Sequence, residues 1–527
     1  MKAMMDSVKS EEARGEKVPI LGKKDSGCCS TGIPARYAMT WWSFLGIFNV
    51  YTMRVNLSVA MVAMVRKTFH PDLPSEGGLE VACPNLLESR QSVNYSSVIL
   101  SSTSTYGEFD WDSDTQGLIL GSFFYGNIIT QIPGGMAAEK WGAKWLFGIG
   151  VLVTAIFTLL TPLAARWNVY ALIAARIMEG LGEGVTYPAM NAFLGRWAPK
   201  YERSLLSSLV YSGGPLGTVV ALSLSGYLSS SSFLGGWPSV FYVFGALGCV
   251  WFVFWIIFAY ESPDQHPHIS KAELNYIRCG QDRQEGVRAP VPWRSILLSG
   301  PVWALAITHF GNSWGFYTLL TELPTYLSNI LHFHLKKNGV LSALPYLTKA
   351  VFAVLASIAA DKLRAKSNLR ITTIRRIINS IALYGPGVGI LAVAFVGCNP
   401  VVIVVLLTLS VGFNGFIYSG FNVTHVDMSP EFAGTLMGIT NCLANMSGFL
   451  APAFVGWAVR DGQTLKNWGI VFVTTSAIYF FTGSIFNLFG SAELQPWGAP
   501  TKDFGSGIVV RKPEKKETGK TKRRSYP

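Results

Sequence analysis

The chain has 527 residues, of which 50% are hydrophobic and only 14% are Asp, Glu, Lys or Arg. Soluble domains carry about 25% of such charged residues, so the composition argues against a set of soluble domains and indicates a chain largely surrounded by lipid. A net charge of +12 would suggest a nucleic-acid partner in a soluble protein. In a membrane protein, the basic residues must first be assigned to a side of the bilayer.

Twelve stretches are long and apolar enough to cross a bilayer, which takes about 20 helical residues. The predicted fold class is therefore an all-α membrane protein with twelve transmembrane helices in two groups of six. The first six spans are predicted at 38–65, 115–137, 143–163, 168–195, 204–230 and 237–260. The second six are predicted at 300–330, 338–360, 372–397, 399–425, 432–458 and 467–490.

Polar segments divide the chain further. The predicted parts are an N-terminal tail (1–37), a first half (38–260) with a long loop at 66–114, a central loop (261–299), a second half (300–490) and a basic tail (491–527). With the N-terminus in the cytosol, 32 of the 43 Lys and Arg residues fall on the cytosolic side, eight on the opposite side and three inside spans. Cytosolic loops are enriched in these residues. Both termini are therefore predicted to be cytosolic, and nucleic acid is not an expected partner.

The 66–114 loop is predicted to face the non-cytosolic side. It contains the sequon Asn94-Tyr-Ser, which is a predicted glycosylation site on that side. The seven cysteines show no CxxC or Cys/His ligand spacing. We therefore expect no metal site and no cofactor.

A short loop motif occurs twice. After the second span it comprises Gly135, Glu139, Lys140, Gly142 and Lys144, and after the eighth span Asp361 and Lys362 recur at the offsets of Glu139 and Lys140. A carboxylate beside basic side chains at a helix end can form contacts in one conformation and lose them in another. A solvated turn would explain one copy, but two copies at matched places predict two similar halves and a conformational role.

Four ionisable residues lie inside predicted spans of the first half. Arg54 is in span 1, and Arg176, Glu179 and Glu183 share one face of span 4 because they are three and seven residues apart. Such groups are costly in lipid and usually face a cavity or a partner. Arginine can bind a carboxylate with two parallel hydrogen bonds, and a glutamate can carry a proton. This pattern predicts proton-coupled anion binding by Arg54 and Arg176, with Glu179 and Glu183 taking protons. The alternative is an internal ion pair that only stabilises packing.

Other polar residues in the spans are weaker candidates. His309 is a further candidate for proton coupling, although buried histidines more often have a structural role. Glu322 and Lys349 are predicted to lie towards the non-cytosolic side, where they could pair as a gate or as a structural element. The candidate substrate-binding residues besides the arginines are Tyr125, Asn312, Tyr317 and Asn422.

Several longer stretches resemble one transporter family. They are Gly121-Ser-Phe-Phe-Tyr-Gly, Ile129-Thr-Gln-Ile-Pro-Gly-Gly, Arg176-Ile-Met-Glu-Gly-Leu-Gly-Glu, Phe316-Tyr-Thr-Leu-Leu-Thr-Glu and Leu436-Met-Gly-Ile-Thr-Asn. Together with the loop motif, these resemble the anion transporters of the major facilitator superfamily that include sialin, the vesicular glutamate transporters and the sodium–phosphate cotransporters. The resemblance is strongest to the sialin-like branch. Glu322 and Lys349 depart from it, because uncharged residues are expected there.

The resemblance implies a secondary carrier, not an enzyme, that works as a monomer by alternating access. The expected activity is export of sialic acid or another acidic sugar from lysosomes, with H⁺ as the coupling ion. The alternatives are sodium-dependent cotransport of phosphate or an organic anion at the plasma membrane, and loading of glutamate or aspartate into synaptic vesicles. Glu16, Ile20 and Leu21 resemble an acidic dileucine signal, which implies sorting adaptors as partners and a lysosomal or endosomal membrane.

Overall fold

The computed structural model describes residues 34–65, 107–199, 201–279, 290–331, 335–366, 369–460 and 464–498. The predicted sorting signal (Glu16, Ile20 and Leu21) and the predicted glycosylation site (Asn94) lie outside the described residues. The described part is helical apart from one isolated bridge between Val65 and Phe109.

The long helices follow the predicted order of spans. In the first half they are Ala35–Met64 (span 1), Ser113–Trp141 (span 2), Ala143–Trp167 (span 3), Val169–Gly184 with Thr186–Trp197 (span 4), Arg203–Tyr211 with Gly213–Ser230 (span 5) and Pro238–Phe258 (span 6). In the second half they are Gly300–Asn329 (span 7), Leu335–Lys366 (span 8), Ile371–Val396 (span 9), Pro400–Asn414 with Phe421–Met428 (span 10), Ala433–Val459 (span 11) and Leu465–Phe489 (span 12). Two short helices, Lys271–Cys279 and Trp293–Leu297, lie between the halves in sequence.

Eight helices of the described part are long and apolar enough to cross a membrane by length and composition alone. The others are spans 1, 2, 4 and 7, which carry among them Arg54, Gln131, Glu183 and His309. Polar side chains lower the mean hydropathy of a span and are tolerated where they face the bundle interior. The less apolar spans are therefore the ones expected to line an internal site.

Four even-numbered spans begin with a side-chain cap at the same end of the bundle. The side chains of Asp112, Asn168, Asn399 and Thr464 accept hydrogen bonds from backbone N–H groups two or three residues later, over 3.0–3.3 Å. Such caps satisfy donors that have no partner within the helix. We call this end, with residues 107–112, 168 and 231–237, the cap end. The opposite end, with Glu139, Gly142, Arg203 and Asp361, is the motif end.

Spans 2 and 4 are in direct backbone contact. A side chain on Gly126 would collide with the carbonyl oxygen of Ile177, and one on Gly180 would collide with that of Phe123. Glycine therefore permits the close approach of these two helices. This contact holds the segment of span 4 that carries Arg176, Glu179 and Glu183 firmly inside the first half.

Candidate functional site

A cavity of about 60 Å³ lies between the two halves. Its walls come from spans 1, 2, 4 and 5 of the first half and from spans 7, 8, 10 and 11 of the second. The cavity therefore lies where two half-bundles that move against each other would expose it first to one side and then to the other.

The wall from the first half contains an ion pair. The Nε atom of Arg54 lies 3.2 Å from Oε1 of Glu183, and both residues line the cavity. The guanidinium carbon is 5.0 Å from the ring centre of Phe123 and 5.9 Å from that of Tyr317. These rings shield the cation from lipid and add cation–π attraction.

The Arg54–Glu183 pair does not satisfy all of its polar atoms. Oε2 of Glu183 is buried and has no hydrogen bond in the described structure, and Nε of Arg54 lies near Oε1 without hydrogen-bond geometry. Buried polar groups normally have a partner. The arrangement therefore leaves room for a proton on Oε2 of Glu183 and for a further acceptor, such as a carboxylate, at the guanidinium of Arg54.

Arg176 and Glu179 form a second pair away from the cavity. The guanidinium of Arg176 contacts the Glu179 carboxylate, and Thr161 donates a 2.9 Å hydrogen bond to the same carboxylate. Both charged residues are buried within the first half, and neither lines the cavity. Their shared helical face was predicted correctly, but the structure places only Glu183 of that face on the cavity.

The wall from the second half is mostly neutral and polar. Asn312 accepts a 2.7 Å hydrogen bond from Asn414, and Tyr317 donates a 3.0 Å hydrogen bond to Asn445. Asn422 also lines the cavity, and its side-chain nitrogen has no partner in the described structure. These amide and hydroxyl groups can orient a polar substrate.

Two histidines flank one hydroxyl in the second half. Nδ1 of His309 lies 3.2 Å from Oγ1 of Thr440, and Nε2 of His425 lies 2.7 Å from the same oxygen. His309 lines the cavity, whereas His425 is fully buried behind it. His425 was not singled out from the sequence, because its role depends on a contact with span 11.

Lys349 is the cation of the second half at this cavity. Its side chain is 2% exposed, and its Nζ lies 4.7 Å from the ring centre of Phe316 and 5.7 Å from that of Tyr418. Among the residues that the structure describes, no ion pair joins it to Glu322 or to another carboxylate. The hypothesis of a Glu322–Lys349 gate is therefore wrong for this conformation, and Lys349 faces the cavity instead.

One hydrogen bond crosses the cavity between the halves. Asn441 of span 11 donates to Oε1 of Gln131 in span 2 over 3.0 Å, and Gln131 donates in turn to Asn127 over 2.7 Å. Neither Gln131 nor Asn441 belongs to the site predicted from the sequence. Nothing in the sequence of either half shows that they meet.

At the motif end, each repeated acid binds the opposite half. Glu139 accepts hydrogen bonds of 2.7 Å from the backbone N–H and from the hydroxyl of Thr435, near the start of span 11. Asp361 accepts a 2.8 Å hydrogen bond from the backbone N–H of Leu205, near the start of span 5. A carboxylate at a helix N-terminus gains from unsatisfied N–H groups and from the helix dipole.

The basic residues of the motif make other contacts. Lys144 donates to the carbonyl oxygen of Ile256 over 3.0 Å, Lys140 lies over the ring of Trp141, and Lys362 is exposed. Gly142 has a φ of 115°, which favours glycine at this sharp turn. The repeated acids thus bind helix starts of the other half and not these lysines.

A cluster of arginines surrounds Asp427 at the motif end. The carboxylate lies 2.9 Å from Arg203 of the first half, 2.8 Å from Arg375 and 3.5 Å from Arg364. Arg375 also donates a 2.8 Å hydrogen bond to the hydroxyl of Ser204, again in the first half. These contacts join the two halves at the motif end, so the structure is closed there.

The structure gathers most of the predicted site residues in one place. Arg54, Glu183, His309, Asn312, Tyr317 and Asn422 all line the cavity. Tyr125 does not, because its side chain is 46% exposed and packs against Phe449. The functional roles of all these residues, and of Arg176 and Glu179, stay predictions.

Comparisons with known proteins identify the fold and the class of protein. The family model described as Major Facilitator Superfamily matches residues 43–452. Among solved structures, the proton:xylose symporter XylE is similar, with a TM-score of 0.64 and 12% identity over 87% of this chain and 97% of that one. At this identity the likeness shows the fold alone. The predicted fold, twelve transmembrane helices in two halves, is confirmed, and the chain is a membrane transporter rather than an enzyme.

Two sequence relatives are much closer. Human sialin is 43% identical over 486 residues, which cover 92% of each chain. A Drosophila melanogaster protein named "Putative inorganic phosphate cotransporter" is 42% identical over 477 residues, which cover 89% of this chain and 87% of the relative. The chain belongs to the major facilitator superfamily, and within it to the group of anion transporters that includes sialin.

Proposed function

We propose that this protein is a proton-coupled carrier of small organic anions that works by alternating access. The observation that carries the proposal is the Arg54–Glu183 pair in the cavity between the halves. An incoming carboxylate competes with Glu183 for the guanidinium. A proton on Glu183 removes that competition, so anion and proton favour each other's binding.

Coupling also needs a conformational change that depends on this occupancy. The contacts of Glu139, Asp361 and Asp427 close the motif end in this structure. The positive-inside pattern favours a cytosolic motif end, so this state would load from the non-cytosolic side. Export then requires these contacts to break when proton and anion are both bound.

Sialic acid or another acidic sugar is the first substrate to test, because of the resemblance to sialin. The alternatives are sodium-coupled phosphate or organic-anion uptake and vesicular loading of acidic amino acids. Purified full-length protein in proteoliposomes should take up a labelled anion when the side of entry is acidified. Sialic acid, glutamate and phosphate should be tested separately under imposed pH, sodium and voltage gradients. A flux driven by sodium and indifferent to the pH gradient would refute the proton-coupled proposal.

We also propose a lysosomal or endosomal location directed by Glu16, Ile20 and Leu21. Replacing Ile20 and Leu21 together by alanine should move the protein to the cell surface, because sorting adaptors would no longer bind the tail. Microscopy of the tagged full-length protein in cultured cells checks this. An unchanged location would refute the role of these residues.

A further inference from the structure

Each wall of the cavity carries one cation, and the two cations differ in whether a carboxylate pairs with them. Arg54 is bound to a carboxylate of its own half. The ammonium of Lys349 lies over two aromatic rings, at 4.7 and 5.7 Å, and makes no hydrogen bond or ion pair with another described residue. A buried ammonium without a counter-ion is unfavourable, and cation–π contacts offset only part of that cost. The ammonium of Lys349 is therefore available to an anion that enters the cavity.

The charges on the lining residues can be counted. Among the described residues that line the cavity, Arg54 and Lys349 are basic and Glu183 is acidic, with His309 as a further titratable group. With Glu183 protonated and Lys349 charged, the lining residues carry two positive charges. An anion with one charge would leave one of them uncompensated inside the membrane, whereas an anion with two charges would neutralise both. Uncompensated charge within the bilayer is costly, so the doubly loaded, neutral cavity reorients most easily.

Position and size support the same substrate class. Lys349 is in span 8 of the second half and Arg54 is in span 1 of the first, so one anion that contacts both connects the halves. Phe316 and Tyr317 lie side by side, with ring centres 5.3 Å apart, and each ring contacts one of the two cations. The cavity of about 60 Å³ is far below the roughly 300–1,000 Å³ of pockets for drug-sized ligands, which favours a compact anion in this state.

We propose that Lys349 is a specificity-determining residue that, together with Arg54, selects compact anions bearing two negative charges over singly charged anions of the same size. This inference rests on the proposed carrier function and names its substrate class. The shared chemistry is a double negative charge, as in a short dicarboxylate or in hydrogen phosphate. Sialic acid has one carboxylate, so it should be carried less well than such an anion.

The test uses two probes of nearly equal size, succinate and its monoamide succinamate, with the full-length protein in proteoliposomes. The wild-type protein should prefer succinate. Lys349→Gln should lower succinate uptake at least about tenfold, a loss of about one charged contact, while succinamate uptake changes much less. Lys349→Arg should retain the preference. Lys466→Gln, a matched change at an exposed lysine near the start of span 12, should leave both uptakes unchanged.

Further measurements distinguish a failure of this inference from a failure of the proposed carrier function. If Lys349→Gln is poorly produced, thermal stabilisation of the Lys349→Arg variant by each probe in detergent still reports the preference. Inhibition of labelled succinate uptake by unlabelled phosphate or by unlabelled succinate shows whether the site prefers hydrogen phosphate or a short dicarboxylate. Equal uptake of both probes by the wild type, or an equal loss of both in Lys349→Gln, would overturn the inference. Proton-driven uptake of a single-charged anion under those conditions would leave the proposed function standing, whereas no proton-driven anion uptake would refute that function.

Discussion

The two halves of this transporter repeat each other in fold but not in charge at the cavity. The first half supplies a cation and its own carboxylate, Arg54 and Glu183. Among the described lining residues, the second half supplies neutral amides, a histidine and the cation Lys349. In the proposed mechanism, the first half binds the coupling proton and the second half recognises the charge of the substrate.

At the motif end, in contrast to the cavity, the two halves make equivalent contacts. Glu139 and Asp361 each bind the start of a helix in the other half. The two halves thus repeat each other's contacts at the motif end but differ in the charges that they supply to the cavity.

The largest expected effect is at Arg54. Arg54→Lys keeps the charge but removes the planar fork that binds a carboxylate with two hydrogen bonds. Anion uptake in proteoliposomes should fall by about 100-fold or more, the loss expected from two charge-assisted hydrogen bonds. The comparison variant is Arg176→Lys, which alters a pair outside the cavity. It should change the apparent affinity for the anion less, and an equal loss of affinity in both variants would place Arg176 in the binding site as well.

An intermediate effect is expected at Asp427, which holds the halves together at the motif end. Asp427→Asn leaves Arg203, Arg364 and Arg375 without their shared counter-ion, and breaking one buried pair costs about 3–5 kcal/mol. The melting temperature in detergent should drop, and cysteines introduced at the motif end should become more reactive. Unchanged reactivity would show that the cluster does not hold this end closed.

The smallest effect is expected at the cap end, outside the membrane. Glu108 accepts hydrogen bonds from Arg166 over 2.8 Å and from Trp237 over 3.0 Å. The hydrogen bond from Arg166 is the main reason why the pKa of Glu108 lies below its usual range. A lowered carboxyl pKa contributes stability above the pKa of the unfolded chain, and this stability is lost as the pH falls through the folded value.

Glu108→Gln should therefore lower stability by only about 0.2–1 kcal/mol near neutral pH, because the side chains of Arg166 and Glu108 are 49% and 40% exposed and water screens the pair. The difference from the wild type should shrink as the pH approaches the ordinary carboxyl range and falls below it. Thermal melts across that range measure it. A difference that grows on acidification would contradict the assignment.

Much of this architecture could be predicted from the sequence, because bilayer thickness sets helix length and lipid rejects charge. Helical periodicity predicted that Arg176, Glu179 and Glu183 share one face. It could not predict which of the three reaches the cavity, because that depends on the close contact between spans 2 and 4 at Gly126 and Gly180. Helical periodicity shows which residues share a face of one helix. The lining of the cavity depends on how eight helices are oriented about their own axes.

The errors have the same physical origin. Lys349 and Glu322 were considered as possible partners because both are charged residues in neighbouring spans, yet the structure turns Lys349 towards the aromatic rings of Phe316 and Tyr418. The Gln131–Asn441 hydrogen bond joins residues 310 positions apart in sequence. Such long-range contacts leave no local pattern by which one sequence could reveal them.

In the proposed mechanism, a proton and an anion favour each other's binding through the Arg54–Glu183 pair. The most direct test is to measure anion affinity across pH in the purified wild-type protein and in Glu183→Gln, by thermal stabilisation or by binding of a labelled substrate. Wild-type affinity should rise as the pH falls, while Glu183→Gln should bind the anion tightly throughout, because Arg54 is always released. The same pH dependence of affinity in both proteins would contradict it.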